Sequence, residues 1–92
     1  MDIIKVQITV QHVSVVSDRY ESEIICCDGT IKFDGDDRVY DFAYDEEAGL
    51  DFKVNPENLT EEGNTNLEDA IKKQASIIWN KTYVFVVEIK NN

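Results

Sequence analysis

His12 is the chain's one imidazole, and Cys26 and Cys27 are its two thiols. A nucleophile and its base could be built only from these residues or from the abundant hydroxyls and carboxylates. If the first strand pairs with the next through a turn at Ser17–Arg19, Val10 falls opposite Cys26 and His12 lies near Ile24 on the core side. The thiol then sits inside the core, where a cysteine is inert. Adjacent cysteines point to opposite faces of a strand, so they read as two reduced thiols in a sheet, with no disulfide framework and no zinc-type spacing.

Carboxylates offer a second chemistry. The run Asp34-Gly35-Asp36-Asp37 resembles the start of a calcium loop. Counted from Asp34, however, the sixth position is Val39 and the twelfth is Asp45, where an EF-hand needs glycine and a bidentate glutamate. The run therefore reads as an acidic turn with Gly35 at positive φ, leaving weak surface binding of a divalent ion as a third-ranked function. General acid catalysis needs a carboxyl held in an apolar pocket. The acids here fall mostly in turns, and the four glycines form no phosphate-binding loop. No cofactor, no metal site and no enzymatic activity are expected.

Charge is the stronger signal. Of 19 acidic residues, 17 lie between Asp18 and Asp69 against four basic ones, a local balance of −13. Residues 1–17 are neutral, residues 70–92 carry +3, and the whole chain carries −10. A pI near 4.3 argues against direct nucleic-acid binding and against anionic membrane surfaces, because both need Lys and Arg. A basic protein is the expected partner, met through Asp34, Asp36, Asp37, Asp45, Glu46 and Glu47. One form of this is nucleic-acid mimicry: same-face residues on a strand are about 6.6–6.8 Å apart, close to the roughly 7 Å between phosphates.

The elements that must hold these residues follow from patterning. A chain of 92 residues forms one domain, and 42% apolar with 10% aromatic residues suffices for a core. No apolar run reaches membrane-span length, and the start of the chain lacks the features of a signal peptide, so a cytoplasmic protein is expected. Ile4, Val6, Ile8 and Val10 alternate with polar residues, as a half-buried strand does, and the alternation breaks after His12. Asp28-Gly29 between strand formers predicts a two-residue hairpin that pairs Cys26 with Ile31 and Ile24 with Phe33. The next turn, at Asp34–Asp37, pairs Phe33 with Arg38 and Ile31 with Tyr40. The loop Asp45–Gly49 pairs Tyr44 with Leu50, Phe42 with Phe52 and Tyr40 with Val54, and sets Asp41 against Lys53 as an ion pair.

Asn55 to Asn64 reads as a polar loop, and Thr65-Asn66-Leu67-Glu68 as a capping box that opens a helix to about Lys81. Its apolar stripe runs through Leu67, Ala70, Ile71, Ala75 and Ile78, widened by Ile77 and Trp79. The last strand, Lys81 to Lys90, is apolar on both faces and is expected beside the first. The predicted class is α+β: a mostly antiparallel six-stranded sheet in the order βββββαβ, with one helix crossing one face. Val13, Ile25, Val39, Val84 and Val86 would then adjoin on the uncovered face. That makes a homo-oligomeric assembly subunit the alternative to an acidic inhibitor or accessory protein.

Overall fold

A computed structural model describes residues 2–17, 19–77 and 81–92. The fold is α+β, with one helix packed on a five-stranded antiparallel sheet. The strands are β1 (Ile3–Ser17), β2 (Glu23–Phe33), β3 (Tyr40–Asp45), β4 (Gly49–Phe52) and β5 (Tyr83–Lys90), and helix α1 spans Glu61–Ala75. The sheet order is β4-β3-β2-β1-β5, so the last strand joins the first, as its position in the pattern implied.

The sheet has five strands and not six because Asp28-Gly29 does not turn. β2 runs straight through it, with Asp28 opposite Gln11 and Ala43, and Gly29 opposite Val10 and Phe42. The glycine is required for a different reason. A Cβ at Gly29 would land on the carbonyl oxygen of Thr9 and lie 3.1 Å from the Phe42 ring. Glycine inside a strand marks such a close backbone approach. The change of topology also changes parity. In a hairpin Cys26 shares a face with Ile31; in a straight strand Cys27 and Ile25 do. Cys27 is accordingly buried, Cys26 half-buried, and Ile25 packs against the core.

A β-bulge performs the same inversion in β1. The register slips between Gln11 and Ser14, and His12 takes a positive φ of 51°. The extra residue shifts the alternation by one position. Val13, expected on the outer face, therefore follows Val6, Ile8 and Val10 into the core at 5% exposure. His12 is thrown outward instead of lying beside Ile24.

Two registers hold as expected: Ile31 opposite Tyr40, and the β3–β4 hairpin with Tyr44 opposite Leu50 and Phe42 opposite Phe52. They stack Phe33, Tyr40 and Phe52 edge to face, at centroid distances of 5.7 and 6.4 Å. Both strands are shorter than predicted. Arg38 and Val39 belong to the connection before β3, and Val54 lies beyond β4 and is exposed. Lys53 N–H donates to Asp41 O at 3.0 Å, but no side-chain ion pair joins these two residues.

The helix starts five residues before the predicted first helical position, Asn66. Its N-cap is Thr60, whose hydroxyl accepts from Gly63 N at 3.0 Å, with Glu61 and Glu62 in the favourable first turn. The buried stripe is Gly63, Leu67, Ile71 and Ala75, and Ser76 is the C-cap. Ile77, expected in the stripe, is 72% exposed because the helix has ended; Ile78 and Trp79 lie outside the described residues. Nor does the helix make the crossing from β4 to β5. By Asn58 and Thr60 the chain has already reached Asn91, just past β5.

Asn91 fixes that junction. It is 6% exposed; its Oδ1 accepts from Thr60 N at 2.7 Å and Thr60 Oγ1 at 2.8 Å, and its Nδ2 donates to Asn58 O at 2.7 Å. Asn91→Ala leaves these groups unpaired, and a loss of about 2–4 kcal/mol is expected in urea denaturation. Gly29→Asn, which a type I′ turn would accept, should cost about 2 kcal/mol or more because the Thr9 carbonyl blocks its side chain. Melting of that variant at the wild-type temperature would contradict the continuous β2.

Candidate functional site

The helix covers one face of the sheet and leaves the other open, so the open face is where exposed side chains stand on a rigid base. Its composition follows from register. One row across it reads Asp51, Ala43, Asp28, Gln11. The next reads Asp41, Thr30, Thr9, Val84, and the one beyond it Lys32, Gln7, Val86. Lys5 and Glu88 close the face at the far end. Acidic side chains thus gather at the β2–β3–β4 corner, while the β1–β5 side is neutral to basic. With strands about 4.8 Å apart, Asp28 and Asp51 stand about 10 Å from each other across Ala43.

The six acids expected to meet a partner are not brought together. Asp34, Asp36 and Asp37 precede β3, while Asp45 ends it and Glu46 and Glu47 follow, so a strand of about 20 Å separates the groups. Three of the six already have work inside the fold. Asp36 accepts from Arg38 Nε at 3.1 Å, Arg38 Nη2 at 3.2 Å, Arg38 N at 2.9 Å and Tyr40 Oη at 2.8 Å. The Arg38 hydrogen bonds hold its carboxyl down to about 2. Asp45 accepts from Glu47 N at 2.8 Å and from Ala48 N, closing the β3–β4 turn. Glu46 accepts from Ile25 N at 2.8 Å and lies 3.6 Å from Lys72 Nζ, tying β2 to the helix. Asp34, Asp37 and Glu47 are exposed, and their carboxylates have no partner among the described residues.

Of the apolar residues expected on the open face, Val13 and Ile25 belong to the core side, as the bulge and the straight β2 require. Val39 is exposed in the connection before β3. Val84 and Val86, at 53% and 57% exposure, do stand on the open face, both on the edge strand.

Sequence reasoning missed His12 and Asp28 on this face. The imidazole Nδ1 lies 2.9 Å from Asp28 Oδ1, and the His12 side chain is 79% exposed. Both border a shallow concavity with Ser14, Cys26, Asp45 and Asp51. The break in alternation between Val10 and Val13 was the available signal, since a spacing of three within a strand marks a bulge. A carboxylate, an imidazole and a thiol in one concavity invite comparison with a cysteine triad. No hydrogen bond joins His12 to Cys26 among the described residues. Partial burial, Asp45 and Glu46 all raise the Cys26 thiol, which opposes thiolate formation. Cys27 is pushed further, to about 11, first by burial. Among the described residues no three His, Cys, Asp or Glu side chains converge closely enough to hold a metal ion. Nucleic-acid mimicry also loses its row: on the open face of β3, Ala43 separates Asp41 from Asp45, roughly doubling the spacing of about 7 Å.

Fold and face together define a small α+β domain that presents an asymmetrically charged sheet surface. No family model, curated protein or solved structure matches the chain.

The Asp36–Arg38 pair yields a pH dependence. A carboxyl whose pKa is lowered on folding stabilises the fold above its unfolded value, near 3.9, and that contribution disappears as pH falls through about 2. In a carboxyl-carbon NMR titration Asp36 should therefore titrate near 2, and Arg38→Ala should move it up toward 3.9. Asp36→Asn should melt below wild type at neutral pH and converge with it in strong acid.

Proposed function

We propose that this protein is a non-enzymatic binding domain that engages a basic surface on another protein through the acidic corner of its open sheet face. The observation that carries this reading is the grouping of Asp28, Asp41 and Asp51 on three adjacent strands of the open face, where Lys53 and Lys32 stand nearby without forming an ion pair to any of them. Asp41 and Asp51 are exposed and have no ion-pair partner among the described residues, so their charge is available to a partner. A sheet also holds them without further ordering, which lowers the entropic cost of association. Glu47, at the adjoining turn, and Asp34 and Asp37, at the far end of β3, extend the negative field. Such a field steers a basic partner and accelerates encounter more than it adds to final affinity.

The reading differs from a contact made by all six turn acids. Asp36, Asp45 and Glu46 are engaged within the fold, and removing them would disturb the domain along with any binding.

Immobilised wild-type protein should capture a basic protein from lysate of the native host, and capture should fall steeply between about 50 and 300 mM salt as screening shortens the field. D28N/D41N/D51N should abolish capture while melting close to wild type. Heparin competes if the partner surface also binds polyanions. Retention of the same partner by the triple variant would sink the proposal.

A further inference from the structure

We infer that β5 pairs with β5 of a second copy, antiparallel and centred on Phe85, joining two sheets into one. This goes beyond the acidic-face reading and uses the opposite edge of the sheet. β5 is an edge strand of eight residues without proline, and such an edge offers a row of unpaired backbone groups.

Which groups point outward follows from two backbone bonds. Asn91 N–H donates to Asp2 O at 2.9 Å, continuing the β1–β5 register, and Asp34 N–H donates to Lys5 O at 2.9 Å, continuing β1–β2. Hydrogen-bonded and non-bonded pairs alternate along an antiparallel ladder. The odd-numbered residues of β1 therefore bond to β2 and the even-numbered ones to β5. On β5 the bonding residues are Tyr83, Phe85, Val87 and Ile89. The N–H and C=O groups of Thr82, Val84, Val86 and Glu88 then face away from the sheet. Among the described residues none of these backbone groups has a protein partner. Lys90 O, the next in the row, is taken by Asn66 Nδ2 at 2.9 Å.

A two-fold axis perpendicular to the sheet keeps each side chain on its own face, so paired residues must have the same parity. Centring on Phe85 sets Val84 against Val86, Tyr83 against Val87 and Thr82 against Glu88. The outward-facing backbone groups of Thr82 through Glu88 find partners, and the ladder stops before Lys90, whose carbonyl is occupied. The exposed valines of the open face cover each other, and no charge faces its like. Centring on Val86 would instead put Val84 against Glu88 and run the ladder out to Lys90.

Charge selects this edge for self-association. Two copies of net charge −10 repel, but β5 itself is neutral, with Lys90 against Glu88, and Lys5 adjoins it. The acidic strands β2 to β4 lie about 10–19 Å from β5, beyond the Debye length of about 8 Å at physiological ionic strength.

Sedimentation equilibrium should give a mass that rises with concentration, between about 10 μM and 1 mM, toward twice the chain's 10.6 kDa. V84K/V86K sets lysine against lysine and should stay at single-chain mass throughout, with circular dichroism unchanged. V84K/V86E sets lysine against glutamate and should restore the dimer only if Phe85 is the centre. The inference is overturned if wild type stays at single-chain mass up to about 1 mM, if V84K/V86K still dimerises, or if V84K/V86E does not. Should V84K/V86K fail to fold, amide exchange on wild type decides: Val84, Val86 and Glu88 must gain protection at high concentration, and unchanged exchange refutes the pairing.

Discussion

The Asn91 side chain is the contact on which the arrangement of sheet and helix depends. It follows the last strand, begins no element of its own, and is almost fully enclosed. Its carbonyl oxygen receives the N–H and hydroxyl of Thr60, while its amide nitrogen reaches the Asn58 carbonyl. Thr60 N–H can only donate, so the orientation of the Asn91 amide is fixed by its surroundings. Thr60 is in turn the helix cap, and its hydroxyl passes the constraint on to Gly63 N. A side chain at Gly63 would run into the Asn91 amide, which explains a glycine in the first turn of a helix despite its poor propensity. The backbone of Asn91 also bonds to Asp2. One buried amide thus locks the start of β1, the end of β5 and the entry to the helix.

This dependence explains where the sequence was legible and where it was not. The β3–β4 hairpin could be read in advance because its register is local: a short loop and facing aromatics decide it within a dozen residues. The helix start could not. Thr65 fits a capping box, yet the cap is Thr60, which is held by Asn91, 31 residues away. Asp28-Gly29 misled for the same reason. The dipeptide fits a tight turn, yet the Thr9 carbonyl, brought in by a neighbouring strand, is what requires the glycine. Both errors are tertiary demands met by residues that also have a local meaning. Val13 is different: its spacing from Val10 already carried the bulge, and reading strict period two past His12 concealed it.

The candidate site was legible in its sign and not in its membership. Counting charge identifies an acidic middle, but it cannot separate carboxylates that fold the protein from those that remain available. Asp36 is bound up with Arg38 and Tyr40, Asp45 with its own turn, and Glu46 with Ile25 and Lys72. Acids in turns are the ones most apt to be consumed this way, because turns leave backbone N–H groups in need of acceptors. Acids in mid-strand have their backbone already paired and their side chains perpendicular to the sheet. Asp41 and Asp51 are of this second kind, and with the turn acids Asp34, Asp37 and Glu47 they are left unengaged among the described residues.

The same geometry separates the two proposed contacts. A domain of this charge resists self-association wherever its acidic strands would meet, and repulsion of that kind acts as a filter on which surfaces can touch. The sheet order puts β4, β3 and β2 on one side and β5 on the other, with β1 between them. Because β5 comes after the helix in sequence yet pairs with β1, the neutral to basic end of the chain becomes the edge most distant from Asp51. Had β5 instead added beside β4, its valines would border the acidic corner and any pairing there would bring like charges together. The crossover held by Asn91 therefore does more than close the fold: it keeps the acidic corner of the open face, proposed to meet a basic partner, apart from the free edge of β5, proposed to pair with a second copy.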